Sequence, residues 1–294
     1  MSKLQTLLQK SQVVIADGAI GTMLQAAGLA SGESPVVWNV EYPDRVRAVY
    51  RGYLDAGTRL AIANTFTASR FHLAKRGAQA RVDELNRAGV ALLRAEAQAA
   101  GVDALVAGDI GPSGELLAPM GALAFDDAVA GFAEQARALI DGGVDAIWIE
   151  TMSDLEEVRA VFEGVRRVSK DIPILATMTF DTRGRTMMGV KPERAARALL
   201  DWGAVAIGGN CGNGPEEILA VIQKMRAVAP NAILIAKSNA GKPEMVDGKT
   251  VFPATPEVMA QSARALRDAG ARIIGGCCGT TPAHIRAMAE AVGR

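Results

Sequence analysis

The stretch AIWIETMSDLEE, residues Ala146 to Glu157, contains one complete step of the fold. Its first part, AIWIETM, is a short apolar run of the kind that forms a strand buried on both faces. The run ends on polar Glu150 and Thr151. Ser153-x-x-Glu156 then has the spacing of a capping box, in which a hydroxyl and a carboxylate satisfy the free amides at the start of a helix. Strand, polar end and helix start thus follow one another within twelve residues.

The same step recurs along the chain. VVIADG, LAIANTF, ALVAGDIG, PILATMTF, AVAIGGN, AILIAKSNAG and RIIGGCC join AIWIETM to make eight strand candidates. Between them lie stretches with helical apolar spacing, such as Val46, Val49, Tyr50, Tyr53 and Leu54, or Ile218, Leu219, Ile222 and Met225. Thr255-Pro256 and Thr281-Pro282 place a capping hydroxyl before a proline suited to the first helical turn. DAG or DGG at Asp55, Asp141 and Asp268 marks helix ends just before a new strand. Eightfold strand-helix alternation predicts a single (β/α)8 barrel of the TIM type; an open doubly wound sheet satisfies the same alternation. No change of composition divides the chain, so one stand-alone domain over residues 1–294 is expected. The long polar connection from Gly241 to Pro253 is expected to be a lid or rim loop.

Composition narrows the class of function. Lys plus Arg and Asp plus Glu are equal at 32 each, so no electrostatic footprint for nucleic acid or an anionic membrane exists. The start has no apolar signal core, and nowhere do 18 apolar residues run together, which predicts a cytoplasmic protein. Three cysteines make no disulfide framework.

Every strand candidate ends on a polar or metal-binding group: Asp17, Asn64 and Thr65, Asp109, Glu150 and Thr151, Thr179 and Asp181, Asn210 and Cys211, Asn239, and Cys277 with Cys278. In a barrel these ends converge on one mouth. All three thiols then reach that mouth, whereas His72 and His284 lie beyond strand ends. Three protein ligands with a fourth position free is the catalytic zinc arrangement. Cys277 and Cys278 can share an ion only if the backbone turns there, and Gly275, Gly276 and Gly279 are expected to supply permissive dihedrals for the turn. Buried structural cysteines and a strained vicinal disulfide are the alternatives. DGAIGTM and GDIGPSGE lack the glycine spacing and the lysine of phosphate-binding loops.

In this order, DGAIGTM, NTFTASR, GDIGPSGEL, IETMSDLEE, GGNCGNGPEE, SNAGKP and IIGGCCGTTPAHI resemble the zinc-dependent homocysteine S-methyltransferase family over essentially the whole chain. Within it the likeness is greatest to the homocysteine-binding module of cobalamin-dependent methionine synthases. The resemblance implies a (β/α)8 barrel with Zn2+ on Cys211, Cys277 and Cys278 and L-homocysteine as methyl acceptor. It implies that Asp17 and Glu150 hold the homocysteine ammonium and that the backbone around Gly18 and Thr65 receives its carboxylate, with Asn210 a further substrate contact. A free thiol is only partly ionised at neutral pH, and coordination to zinc converts it to the attacking thiolate. A methylated corrinoid carried by a partner protein is the expected methyl donor. A small onium donor such as betaine or S-methylmethionine is the alternative, for which Trp38 and Tyr42 could form a cation-binding wall or else simply pack. A zinc hydrolase or lyase lacks a candidate base here, and a non-catalytic homocysteine-binding module would keep the same cysteines.

Overall fold

The computed structural model describes residues 3–246 and 249–293. The eight predicted strands form one parallel ring: β1 (Val14–Ile15), β2 (Leu60–Ile62), β3 (Leu105–Ile110), β4 (Ala146–Met152), β5 (Ile174–Met178), β6 (Ala206–Cys211), β7 (Leu234–Ser238) and, after a surface hairpin, β10 (Ala271–Gly276). Neighbours follow sequence order around the ring, and β10 returns to pair with β1. β1 and β2 meet through a bridge between Ala16 and Leu60 and a bond from Arg59 N to Ile15 O. The Asp17 carboxylate extends this seam by accepting the Ile62 N–H at 2.7 Å. The alternation therefore closes into a barrel and not an open sheet.

A strand buried on both faces sends alternate side chains to the axis and to the helices. On the axis, Val14, Leu60, Leu105, Ala146, Trp148, Leu175, Ala206, Ile235 and Ile273 make one cluster, while Ile147, Ile149, Ile174, Ala176, Ile207 and Leu234 pack outward under the helices. The Trp148 indole is the largest buried side chain of the axis, and Gly208 faces Ile235 where a Cβ would have no room. At the other end, helix Lys3–Lys10 inserts Leu4 into the axial cluster and lays Leu7 and Leu8 against it, closing the floor.

Local signals hold with one shift. The helix after β4 starts at Leu155, and its N-cap is Asp154, whose carboxylate accepts the Glu156 N–H, so the cap lies one residue later than the Ser153 reading. Asp caps as well as Ser, and an ionised side chain also suits the positive end of the helix. Helices Pro43–Asp55, Phe125–Asp141 and Pro256–Asp268 end on the three expected aspartates, each followed within two residues by glycine at positive φ. The Gly241–Pro253 segment holds a small antiparallel hairpin, β8 (Glu244–Val246) with β9 (Lys249–Val251); Asp247 and Gly248 lie outside the described residues, as do Met1, Ser2 and Arg294. Among the described residues no helix is long and apolar enough to cross a membrane.

Trp148→Ala removes the plug of the axis and leaves a cavity that the ring cannot collapse around. It is expected to cost about 3–5 kcal/mol, read as a lower midpoint in denaturant unfolding.

Candidate metal centre and binding pocket

The backbone brings the three thiols together by two unusual turns. Cys211 ends β6 in the left-handed region, at φ 64°, and a non-glycine residue held there is a mark of imposed geometry at a site. After β10, a turn closes with Thr280 N and Thr280 Oγ1 both bonded to Cys277 O. Of the three glycines expected to loosen this turn, only Gly279 has positive φ. Gly275 and Gly276 serve another purpose: a Cβ on Gly275 would lie 2.7 Å from Asp17 O, and one on Gly276 would overlap Thr280. They let β10 pass close to β1 and to its own following turn.

The three sulfurs lie within 4.8 Å of one another, with Cys211 Sγ and Cys278 Sγ 3.9 Å apart. Two thiolates on one tetrahedral zinc, at Zn–S distances of about 2.3 Å, stand about 3.8 Å apart, so the spacing suits a shared ion. The thiols also share charge. Hydrogen bonds from Cys277 and Cys278 pull the Cys211 thiol down to about 3, while the bond to Cys211 pushes Cys277 up to about 11 and the bonds to Cys211 and Cys277 raise Cys278. The three sulfurs are a soft donor set that a metal cation completes by displacing the thiol protons. The thiols are free, not a vicinal disulfide, and partly exposed.

Asn210 supports this cluster from behind. Fully buried, it donates from Nδ2 to Thr151 Oγ1 and to Cys277 Sγ, and accepts the Thr151 N–H. Thr151 too has positive φ, so Asn210 ties the two strained strand ends, of β4 and β6, to the third sulfur.

A cavity of about 280 Å³ opens beside the sulfurs. Asp17, Gly18, Glu150, Cys211, Cys277 and Cys278 all line it, as expected, and so do Asp109 and Lys237. Thr65 and Asn210 do not: the Thr65 hydroxyl turns into the wall and bonds the backbone of Asp109, leaving Asn64, Phe66 and Thr67 to face the space. Lys237 was not anticipated. Its Nζ lies 3.2 Å from Asp17 Oδ1, 3.1 Å from Glu150 Oε2, and 5.1 Å above the Trp148 ring. The signal was present in period two, because Lys237 follows axial Ile235 on the same face of an apolar parallel strand.

Burial pushes the Asp17 carboxyl up to about 6 even with Lys237 beside it, and burial likewise raises Glu150 and, more strongly, Asp109. Burial alone would lower Lys237, but Glu150 and Asp17 outweigh it and hold the ammonium charged. The pocket therefore has a soft, sulfur-lined end and an acidic end.

The other singled-out residues have local partners. The Arg45 guanidinium sits 5.0 Å from both the Trp38 and Tyr42 rings, and neither ring lines the cavity, so the two pack on a resident cation and form no cage. His284 completes the capping box of helix Pro282–Val292 through Nδ1 and bonds Ala254 O through Nε2; His72 bonds Pro112 O.

A sequence profile described as homocysteine S-methyltransferase matches residues 14–292. Methionine synthase from Mycobacterium tuberculosis is 32% identical over 295 residues, covering 96% of this chain and 25% of that protein. The Mycobacterium leprae methionine synthase is 30% identical over 305 residues, with 99% and 25% covered. The chain thus spans about a quarter of the length of these curated relatives. Among solved structures, the metallated form of the homocysteine methyltransferase MmuM from Escherichia coli superposes with a TM-score of 0.82 at 27% identity, covering 97% of this chain and 98% of that one.

Replacing any one of Cys211, Cys277 and Cys278 by Ala is expected to abolish stoichiometric metal binding while the circular dichroism spectrum of the barrel is kept. Metal analysis after dialysis measures this; full metal content in two of the three variants would remove the assignment. Because the thiols must lose protons to bind, metal affinity should also fall as pH is lowered from about 8 to about 6.

Proposed function

This chain belongs to the homocysteine S-methyltransferase family, and we propose that it methylates L-homocysteine to methionine, with Zn2+ on Cys211, Cys277 and Cys278 and the methyl group coming from a methylated corrinoid on a partner protein. The observation that carries the reading is the two-ended pocket. Lys237 pairs with Gly275 across β7 and β10, so Cys277 lies two residues nearer the mouth than the acidic cluster. Two residues along a strand span about 6–7 Å. Homocysteine spans this gap, with its ammonium among the carboxylates and its thiol, three carbons away, at the sulfur cluster.

Zinc on the three sulfurs, when bound, supplies a Lewis acid with an open position that keeps an incoming thiol deprotonated near neutral pH. The chain's own groups do the rest. Glu150 Oε2 and Asp17 Oδ1 are tied to Lys237, and Glu150 retains an oxygen without a protein partner toward the cavity. The backbone around Gly18, with Asn64, Phe66 and Thr67, borders the space left for the substrate carboxylate. Thr65 acts from the wall through Asp109, and Asn210 through Cys277. The substrate sulfur then attacks the methyl carbon opposite its leaving group: the S–C bond forms as the methyl–donor bond breaks, and its electron pair leaves with the donor. No proton need be removed in that step, which accords with both histidines of the chain being bonded elsewhere.

Two features favour a corrinoid donor over a small onium compound. Phe66 is the one aromatic residue along the described cavity wall, so no aromatic box awaits a quaternary ammonium. In addition, Leu116, Met120, Met187 and Met245 stand exposed on connections that follow β3, β5 and β7, at the mouth. Flexible apolar side chains of this kind suit a broad partner surface.

Asp17→Asn and Glu150→Gln are expected to weaken homocysteine binding by about ten- to a hundredfold, the loss of one charged contact of about 1.5–3 kcal/mol, with metal content unchanged. In the unaltered protein, affinity should fall as pH drops from neutral through about 6, because a protonated Asp17 no longer attracts an ammonium. Calorimetric titration at several pH values reads both effects.

The donor is tested by supplying methylcobalamin, glycine betaine, S-methylmethionine and dimethylsulfoniopropionate separately with homocysteine. Slow methionine formation with methylcobalamin and little with the others is expected. Rapid turnover with betaine would replace the corrinoid reading.

A further inference from the structure

The buried lysine at the acidic end of the pocket has no part in the chemistry described so far. Lys237 is 3% exposed and is the fourth of the five residues of β7, whose other residues are apolar or small. A lysine in that position must be paired, since an isolated buried ammonium would lose its proton or unfold the strand. Its pairing is double: one Nζ holds Asp17 Oδ1 and Glu150 Oε2 from strands on different sides of the barrel, with the indole of Trp148 beneath it. The other Asp17 oxygen is bound to Ile62 N–H, so Asp17 is fixed from both sides.

This arrangement has a definite charge. Two carboxylates around one ammonium leave a single negative charge, presented toward the cavity on the Glu150 side. Asp109 completes the wall with an Oδ1 that has no hydrogen-bond partner. Without Lys237 the two buried carboxylates would have no cation between them, and one would take up a proton and hydrogen-bond the other, so the remaining charge would be turned inward to its neighbour and not held toward the cavity.

We propose that Lys237 is a positioning residue that sets substrate choice: by clamping Asp17 and Glu150 together it leaves the pocket one uncompensated carboxylate charge, which selects thiols carrying one ammonium group, that is, amino-acid thiols. It acts through the carboxylates and not by touching the reacting sulfur. The inference rests on the homocysteine reading given above and adds to it the origin of the discrimination.

The test compares homocysteine with 4-sulfanylbutanoate, which keeps the thiol and the carboxylate and lacks the ammonium, on metal-loaded protein. The unaltered protein should prefer homocysteine. Lys237→Met should reduce that preference at least about tenfold, with the whole change in the homocysteine Kd and none in that of 4-sulfanylbutanoate. Metal content and kcat at saturating homocysteine should stay within about threefold, so the effect appears in KM. Lys237→Arg, which keeps the charge, should retain most of the preference. If Lys237→Met does not fold, Lys237→Gln carries the same expectation. Equal weakening of both ligands would assign Lys237 to the substrate carboxylate or to general structure, and an unchanged or tighter homocysteine Kd would show that it only competes with the substrate; each overturns the proposal. Failure of the unaltered protein to bind homocysteine would instead sink the functional reading on which it rests.

Discussion

In a closed ring of parallel strands each side chain must face either the axis or the helices, and the choice made at one residue fixes every second residue after it. Along β7 this puts Ile235 in the packed axis and Lys237 directly above it. Along β4 it stacks Glu150 on Trp148, and along β3 it stacks Asp109 on Ala107. Glu150, Asp109 and Lys237 are therefore the next layer of the core, built by the same alternation with polar residues substituted for apolar ones, and Asp17 joins them from just beyond β1, one residue after axial Ala16. The sulfur end obeys a different rule. Cys211, Cys277 and Cys278 lie where the strands stop, and their convergence depends on turns at Cys211 and Gly279.

That division explains which parts were legible in the amino-acid sequence. Strand positions, the helix ends at Asp55, Asp141 and Asp268, and the grouping of the cysteines follow from local patterns and from the order of elements. The roles of Gly275 and Gly276 were misjudged because close approach of β1 and of Thr280 is tertiary information, invisible beside the general permissiveness of glycine. The backbone around Thr65 and the residue Asn210 are read as substrate contacts; the hydrogen bonds of the two side chains, to the Asp109 backbone and to Cys277, turn those side chains into the wall, because a strand end shows which residues are near the mouth and not which way each turns. Lys237 escaped notice because a single charge inside an apolar run looks like an interruption until the axial register is known. The surface hairpin β8–β9 gave no signal beyond polarity, its strands being three residues each.

The acidic end also shows how stability and binding oppose one another in one place. Burial raises Asp17, Asp109 and Glu150 together, so the protein holds carboxylates where they are least at ease as anions. Lys237 relieves part of that cost, and the seam bond from Ile62 N–H to Asp17 makes the same carboxylate a member of the barrel wall. A residue that both closes the ring and borders the ligand space cannot be altered for one purpose alone.

The floor of the barrel imposes an order on events at its mouth. With Leu4 of the first helix set into the axial cluster and the Trp148 indole above it, the axis beneath the space beside the sulfurs is filled. Under the reading proposed above, an acceptor whose ammonium lies deepest enters before anything covers the rim, and its methylated product leaves only when that cover has gone. The order of the two substrates is then a consequence of where the well is closed, and it reaches back to the packing of one short helix under the axis.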